Sequence, residues 1–294
     1  MNERTRSLPP ACLDHAELVP EWDAPVRVKA FVTGRRGGVS AGAYGAADGS
    51  ANGLNLGRAC GDDPRAVAIN RARLAACLPA PPRWLRQVHG TTVHVAEAAW
   101  PAASGEQAAP LACETPAAGG EPAEREEPQA DAAVTARPGV VLAVLTADCL
   151  PLLLATARGD AVGVAHAGWR GLAAGVVEHC VQALRACSAP DAEVLAWLGP
   201  AIGPRAFEVG EDVVRAFCDE DPACAASFAP TPRPGKWLAD LYRLARLRLA
   251  RVGVTRVGGG DHCTVEEPER FYSYRRQRGG GRMASLIWIE PDSR

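Results

Sequence analysis

Two histidines and one cysteine occupy positions from which side chains can do chemistry. His89 precedes a glycine at the end of a short predicted strand, His166 lies between a buried strand and a helix, and Cys149 ends the most apolar strand. Proteins commonly display catalytic groups at such strand ends, because a rigid scaffold holds them there. Two imidazoles and one thiolate are a good ligand set for Zn²⁺, and they leave a fourth position open for water or substrate.

The spacing of these three residues leaves two other interpretations open. They are scattered along the chain and match no compact zinc-finger pattern. The histidines can be hydrogen-bonded loop residues, with Cys149 as a small buried filler. Alternatively, Cys149 can be a metal-free nucleophile with His166 as its base, which requires the same neighbourhood.

A carboxylate stands directly beside the cysteine, because Asp148 precedes Cys149 in the chain. Next to a metal ligand, a carboxylate can carry protons or orient a histidine. The alternative is that Asp148 only caps the turn at the end of the strand.

Several arginines are candidates for binding an anion. The segment 168–171 opens a helix and offers backbone N–H groups together with Arg170. Arg35 lies in a glycine-rich loop, and Arg282 follows an arginine cluster at 275–278. A run of arginines is more often a solvated surface, but arginine among glycines and aromatic residues suits a phosphate and a stacked ring.

The elements that must position these residues alternate irregularly between strands and helices. Hydrophobic periodicity predicts strands at 26–33, 84–88, 92–96, 140–145, 150–156, 161–165, 193–198 and 283–289. Capping residues and helical spacing predict helices at 64–78, 169–187, 211–219 and 238–252. Because there is no regular βαβ repeat, the pattern favours an α+β fold in which helices cover layered sheets.

The stretch from 98 to 130 differs in character from the rest of the chain. It is rich in Ala, Pro, Gly and Glu and has almost no large apolar side chain. Such a segment cannot bury enough surface to order itself, and surface loops tolerate insertions at low cost. We therefore predict one catalytic domain over 1–294 with a disordered insertion at 98–130.

Composition excludes several classes of protein. Of the 294 residues, 47% are hydrophobic and 22% charged, which is typical of globular proteins. A net charge of −2 argues against broad binding to nucleic acid or anionic lipid. The longest apolar run, 140–154, is interrupted by Asp148 and Pro151, and residues 1–14 lack the apolar region of a signal peptide, so we expect neither a membrane span nor a signal peptide. The ten cysteines form no CxxC pair, so we expect reduced thiols in a soluble cytoplasmic protein.

Longer motifs extend over nearly the whole chain outside the insertion. They are R-x-G-G-V-S (35–40), N-L-G (55–57), G-D-D-P (61–64), R-Q-V-H-G (86–90), A-D-C-x-P (147–151), H-A-G-W-R-G (166–171), L-G-P-x-I-G-P (198–204), C-T (263–264) and F-Y-S-Y-R-R (271–276). In their order and spread they closely resemble the laccase-domain family, the YfiH-like group to which FAMIN belongs.

The resemblance implies a one-domain, four-layer α/β/β/α fold related to cysteine-hydrolase-like toxins. It implies one Zn²⁺ per chain on His89, Cys149 and His166. It also implies phosphorolysis of adenosine, inosine and methylthioadenosine, together with deamination of adenosine, so the expected ligands are purine nucleosides and phosphate. On this basis we expect Cys149, His166, Asp148 and Arg35 to be catalytic. We expect Arg170, Arg282, Asn55 and Gln87 to bind the nucleoside or the phosphate.

The older description of this family as multicopper polyphenol oxidases conflicts with the histidine count. A laccase needs a trinuclear copper cluster built from histidines in addition to a blue-copper site. The chain has six histidines, and two of them, His89 and His166, are assigned to the zinc site. The remaining four are too few to build the trinuclear cluster. A multicopper centre is therefore not expected.

Two rival functions remain at this stage. The kinship of the fold and the pair of Cys149 and His166 suggest an amidase or peptidase-like hydrolase, and some bacterial relatives are credited with editing wrongly built cell-wall precursors. The non-enzymatic rival is a binding protein that uses zinc only for stability. Three protein ligands argue against this rival, because structural zinc sites almost always have four.

Overall fold

The computed structural model describes residue 8, residues 10–96 and residues 127–291. Its α-helices are α1 (Pro10–Leu13), α2 (Pro64–Ala76), α3 (Trp169–Ala173), α4 (Val176–Ala186), α5 (Glu211–Cys218) and α6 (Leu241–Arg251). Short 3₁₀ helices lie at Gly42–Tyr44, Arg58–Cys60 and Pro222–Ser227. Within these ranges, no helix combines the length and the apolar character needed to cross a bilayer.

All strands of the described residues except β3 (Arg36–Ser40) belong to three sheets, and β3 forms only isolated bridges with Gly53. In chain order the strands are β1 (Ala16–Leu18), β2 (Val28–Thr33), β3 (Arg36–Ser40), β4 (Val93–Val95), β5 (Ala132–Thr135), β6 (Leu142–Thr146), β7 (Leu150–Thr156), β8 (Val162–Ala167), β9 (Val194–Leu198), β10 (Glu208–Gly210), β11 (Phe228–Pro230), β12 (Lys236–Ala239), β13 (Arg256–Gly259) and β14 (Met283–Ile289). One sheet has the order β1-β2-β14-β6, the largest has β13-β9-β7-β8-β5-β4, and the smallest has β10-β12-β11. In the largest sheet β13 runs parallel to β9 and β4 parallel to β5, so this sheet is mixed.

The two larger sheets pack face to face, and this packing explains why the sequence of β14 is apolar at every position except Ser285. Side chains of a strand alternate between the two faces of its sheet. Ile287 and Ile289 share a buried cluster with Val164 of the six-stranded sheet. Leu286 and Trp288 instead join the cluster on the outer face. Both faces are covered, so every position of this strand is buried.

Helices cover the outer faces of the sandwich. Leu74 of α2 packs in the cluster on the outer face of the four-stranded sheet. On the other side, Val181 of α4 and Leu244 of α6 pack in the cluster that contains Leu152 and Leu154 of β7. The layers are therefore α/β/β/α, and the predicted α+β fold with four layers is confirmed.

Most predicted elements are present, and three differ. The predicted helix 169–187 is two helices, because Gly175 between them adopts a left-handed conformation with φ 96°. The predicted helix 238–252 begins at Leu241, since residues 236–239 pair as β12 with β10 and β11. The predicted strand 84–88 forms only an isolated bridge between Arg86 and Gln129.

The end of the predicted insertion is part of the packed structure. Residues 97–126 lie outside the described residues. Glu127 forms an ion pair with Arg71 at 2.7 Å, the Arg86 guanidinium donates to Gln129 at 2.6 Å, and Ala130 is buried. The prediction of disorder is therefore wrong for 127–130, where partners distant in sequence hold the chain.

A tight turn at 147–149 carries the chain from one large sheet to the other. It joins β6 of the four-stranded sheet to β7 of the six-stranded sheet. Asp148 in this turn has φ 98°, an uncommon conformation for a residue other than glycine. Its carboxylate accepts hydrogen bonds from the Thr264 hydroxyl and the Arg275 backbone N–H, both at 2.6 Å. The turn places Cys149 at the corner between the sheets.

Candidate metal centre and the cleft around it

The fold brings His89, Cys149 and His166 together. One ligand atom of each lies within 4.8 Å of the other two. Cys149 Sγ is 3.7 Å from His89 Nε2, and the two imidazole rings meet edge to face with centroids 4.7 Å apart. Residues separated in sequence thus form one compact group of nitrogen and sulfur donors, the set that the family resemblance implies.

His166 is fixed by its place in β8 and by a buried carboxylate. Its ring Nδ1 lies 2.8 Å from Asp131 Oδ1, so Nδ1–H donates to the carboxylate. Only 4% of the His166 side chain is exposed. Since Nδ1 is occupied by Asp131, Nε2 is the ring nitrogen available to a ligand on the cysteine side.

The His89 loop is held by the same carboxylate. Asp131 accepts hydrogen bonds from the backbone N–H groups of Val88, His89 and Gly90, at 3.1, 2.9 and 2.7 Å respectively. His89 has φ 60°, so its backbone is in the left-handed region. These bonds replace the strand pairing predicted for this segment.

Asp131 was missed by the sequence reasoning. It stands at the start of the apolar segment 130–135 and is completely buried. A buried carboxylate requires several hydrogen-bond partners. An aspartate inside the apolar segment 130–135 was therefore the feature of the sequence that could have identified Asp131 as a site residue.

Cys149 and His166 change each other's ionisation. Burial alone raises the pKa of the Cys149 thiol, but the facing imidazoles of His166 and His89 outweigh burial and lower this pKa to about 6. Burial alone lowers the pKa of His166, but the Cys149 thiolate and the Asp131 carboxylate raise it to about 9. Near neutral pH the metal-free pair therefore favours thiolate and imidazolium.

The donor set fits zinc. Thiolate and imidazole are preferred ligands of Zn²⁺, and a carboxylate behind a ligating histidine is a common supporting arrangement. Gly168 leaves the space that this group needs. A Cβ atom at Gly168 would lie 2.9 Å from Cys149 Sγ and 3.0 Å from His89 Cδ2, which explains the glycine in the H-A-G-W-R-G motif.

The three residues open onto a cleft of about 700 Å³. Arginines line much of it, namely Arg58, Arg71, Arg86, Arg170, Arg275 and Arg282. The carboxylates on its wall are Glu127 and Asp148, and its aromatic residues are Trp169, Phe207 and Tyr274. The cleft is therefore positively charged although the whole chain has a net charge of −2, and it suits an anion together with a flat ring.

Two of the predicted ligand-binding arginines face this cleft. Arg170 is exposed and stacks on Trp169, with the guanidinium carbon 4.3 Å from the ring centroid. No carboxylate of the described residues forms an ion pair with it. Arg282 donates from one guanidinium nitrogen to the carbonyls of Gly280 at 2.6 Å and Gly281 at 3.1 Å, and it lies over Tyr274.

Arg35 does not line the cleft, contrary to its predicted catalytic role. Its side chain is buried, and its guanidinium donates to the backbone carbonyls of Gly45, Ala46 and Pro268. It also lies over the Tyr272 ring at 4.8 Å. Its guanidinium therefore joins the loops that contain these carbonyls, and none of the carbonyls belongs to the glycine-rich segment 34–38 that suggested anion binding.

The other predicted residues support the walls of the cleft. Asn55 is fully buried and accepts from the Arg282 backbone N–H at 2.8 Å, so it acts behind the cleft. Gln87 lines the cleft, but both ends of its amide are bonded to the backbone of Leu145, at 2.7 and 2.8 Å. Asp148 uses its carboxylate to hold the turn, and the carboxylate that orients His166 is Asp131.

The fold and the site define a four-layer α/β/β/α protein with a His–Cys–His group at the corner between two sheets. The profile of the family described as multi-copper polyphenol oxidoreductase laccase matches residues 29–290. The chain belongs to this family.

Relatives and solved structures agree with this assignment. A Pseudomonas aeruginosa protein named a purine nucleoside phosphorylase is 46% identical over 276 residues, which are 94% of this chain and 99% of the relative. The Escherichia coli protein named purine nucleoside phosphorylase YfiH is also 46% identical, over 92% of this chain and 98% of the relative.

Two crystal structures share the fold. That of a Neisseria meningitidis protein has a TM-score of 0.77 and 44% identity, covering 93% of this chain and 99% of that chain. That of YlmD from Geobacillus stearothermophilus has a TM-score of 0.68 and 30% identity, covering 90% of this chain and 92% of that chain.

Proposed function

We propose that this protein is a zinc-dependent purine nucleoside phosphorylase with an adenosine deaminase side activity. The observation that carries the proposal is the His–Cys–His group at the base of a cleft lined with arginines and aromatic residues. The relatives named purine nucleoside phosphorylase support the phosphorylase part of this proposal. The substrates are adenosine, inosine and methylthioadenosine, with phosphate as the second substrate.

Phosphorolysis requires phosphate to be held in line with C1′ of the ribose while the glycosidic bond breaks. Arg170 and Arg282 line the cleft and supply fixed positive charge for phosphate and for the charge that develops in the transition state. Trp169 and Tyr274 offer flat surfaces for the purine ring. Asp148 lines the cleft beside Cys149, and its carboxylate holds the turn 147–149. We also assign this carboxylate the transfer of a proton during the reaction.

The centre would hold one zinc ion on His89, Cys149 and His166. When bound with an open position, zinc supplies a Lewis acid and an activated water, chemistry that suits attack at C6 of adenine. The chain contributes the orientation of the two histidines through Asp131. The cysteines of the described residues are all free thiols, which suits a cytoplasmic location.

The test is to measure bound metals and then nucleoside turnover. We expect close to one zinc per chain and phosphate-dependent conversion of adenosine and inosine to base and ribose 1-phosphate. Protein stripped with a chelator is the matched control, and added zinc should restore its activity. Deamination of adenosine needs no phosphate, so the decisive product is the free base: release of base that is unaffected by removing phosphate would contradict the proposal.

One observation favours a second candidate function. Cys149, His166 and Asp131 have the nucleophile, base and orienting acid of a cysteine hydrolase, with Asp131 bonded to His166 Nδ1 at 2.8 Å. This arrangement suits an amidase acting on cell-wall precursors. A zinc-stabilised binding protein is less well supported, since a structural site requires a fourth protein ligand. A metal-free wild type that cleaves amides would favour the hydrolase.

A further inference from the structure

Asp131 joins the two histidines of the centre to one carboxylate. It lies directly before β5 and has no exposed surface. Its Oδ1 accepts from His166 Nδ1 at 2.8 Å and from the His89 backbone N–H at 2.9 Å. Its Oδ2 accepts from the N–H groups of Val88 at 3.1 Å and Gly90 at 2.7 Å.

The backbone of Asp131 reinforces this arrangement. Its N–H donates to Thr92 O at 3.0 Å, and its carbonyl accepts from the His166 N–H at 2.7 Å. The residue is therefore bonded to the His89 loop and to the His166 strand through both its side chain and its main chain. A buried carboxylate with so many donors holds its surroundings rigidly, because leaving any of these groups unpaired is costly.

We propose that Asp131 is the positioning residue of the metal centre. It keeps the proton of the His166 ring on Nδ1, so that Nε2 is the ligand atom, and it holds the left-handed backbone that directs His89 toward Cys149. It touches neither substrate nor metal. The inference rests on the proposed function in one respect, which is that these three residues hold a metal.

The test is Asp131→Asn, with Zn²⁺ alone as the probe. The amide keeps the size of the side chain, but its NH₂ group cannot accept from the donors it would face. We expect zinc affinity to fall about 10- to 100-fold, measured by chelator competition on protein whose folding is checked by circular dichroism. Asp160→Asn is the control, because Asp160 also accepts side-chain hydrogen bonds, from Thr156 and Ser188, but does not line the cleft. Its zinc affinity should equal that of the wild type.

A second measurement applies even if Asp131→Asn does not fold. Nitrogen-15 NMR of the zinc-loaded wild type should show His166 protonated at Nδ1, with a proton that exchanges slowly because Asp131 accepts it. An unprotonated Nδ1, or a folded Asp131→Asn protein with wild-type zinc affinity, would overturn the inference. Both readouts omit nucleosides, so a failure of phosphorolysis would contradict the proposed function and leave this inference standing.

Discussion

The two sides of the cleft are built in opposite ways. On the side of the His–Cys–His group, which we call the metal side, the supporting groups are buried and bonded to the scaffold, with Asp131 fully buried and His166 4% exposed, while His89 and Cys149 open onto the cleft. On the arginine side, Arg170 is exposed and stacks on Trp169. One side is organised before any ligand arrives, and the other has donors that can adjust to one.

This difference separates two properties of the site. Metal binding needs several donors fixed within a fraction of an ångström, so it depends on buried supporting residues. Capture of an anion depends on charge and on guanidinium groups that can turn to meet it. Changes on one side should therefore alter metal affinity, and changes on the other should alter the KM for phosphate.

The largest effect is expected on the metal side. His89→Ala should lower kcat by at least about 1,000-fold, because a ligand and its metal are lost together. Steady-state assays and metal analysis of the purified variant check this. A folded and active His89→Ala protein would show that Cys149 and His166 work without metal and would support the hydrolase.

The ionisation of Cys149 gives the next test. In the metal-free protein, alkylation of this thiol should increase with pH through a midpoint near its pKa of about 6, because a lowered pKa leaves thiolate present above that pH. Iodoacetamide rates followed by mass spectrometry measure the midpoint. Cys218, whose pKa is raised by burial, is an internal control that should react only at higher pH. If the alkylation rate of Cys149 had its midpoint near pH 9, the imidazoles of His166 and His89 would not be lowering the pKa of this thiol.

On the arginine side, Arg170→Ala should raise the KM for phosphate about 10- to 100-fold, the cost of one or two charge-assisted hydrogen bonds. Bound zinc and the melting temperature should stay at wild-type values. Arg243→Ala on the exposed surface of α6 is the matched control and should change none of these. An unchanged KM in Arg170→Ala would remove Arg170 from the phosphate site.

The smallest effect on catalysis is expected for Arg35→Met. The loss of guanidinium bonds to buried carbonyls should lower the free energy of unfolding by about 2–4 kcal/mol. The KM for phosphate should not change, because Arg35 lies outside the cleft lining. Urea denaturation measures the free energy of unfolding, and initial rates measure the KM for phosphate. Comparison of Arg35→Met with Arg170→Ala then distinguishes an arginine that stabilises the fold from one that binds phosphate. A raised KM with unaltered stability would return Arg35 to the site.

The sequence predicted what local pattern and motif can specify. The Asp63 cap and Pro64 identify the start of α2, and the nearly continuous apolar segment 283–289 identifies β14 in full. His89, Cys149 and His166 became candidates because their side chains can bind metal and stand beside predicted strands, and the motifs that contain them selected this set over its alternatives. Each of these features is contained in a few neighbouring residues.

The sequence did not predict features that depend on distant partners. Asp131 lies 35 residues from His166 and 41 from Gly90, so no local pattern reveals the contact. Arg35 was misassigned for the same reason, since its burial against Pro268 comes from a residue 233 positions away. Glycine-rich loops bind anions in some folds and bury arginine in others, and only packing distinguishes the two.

The β7–β8 hairpin also has a consequence for the order of assembly. It pairs Pro151 with His166, so Cys149 and His166 become neighbours through a local contact. His89 lies 60 positions from Cys149 and arrives through a long-range contact, which chain entropy delays during folding. We expect a two-ligand half-site early in folding and full zinc affinity only at the end, so zinc uptake should mark the completion of the fold.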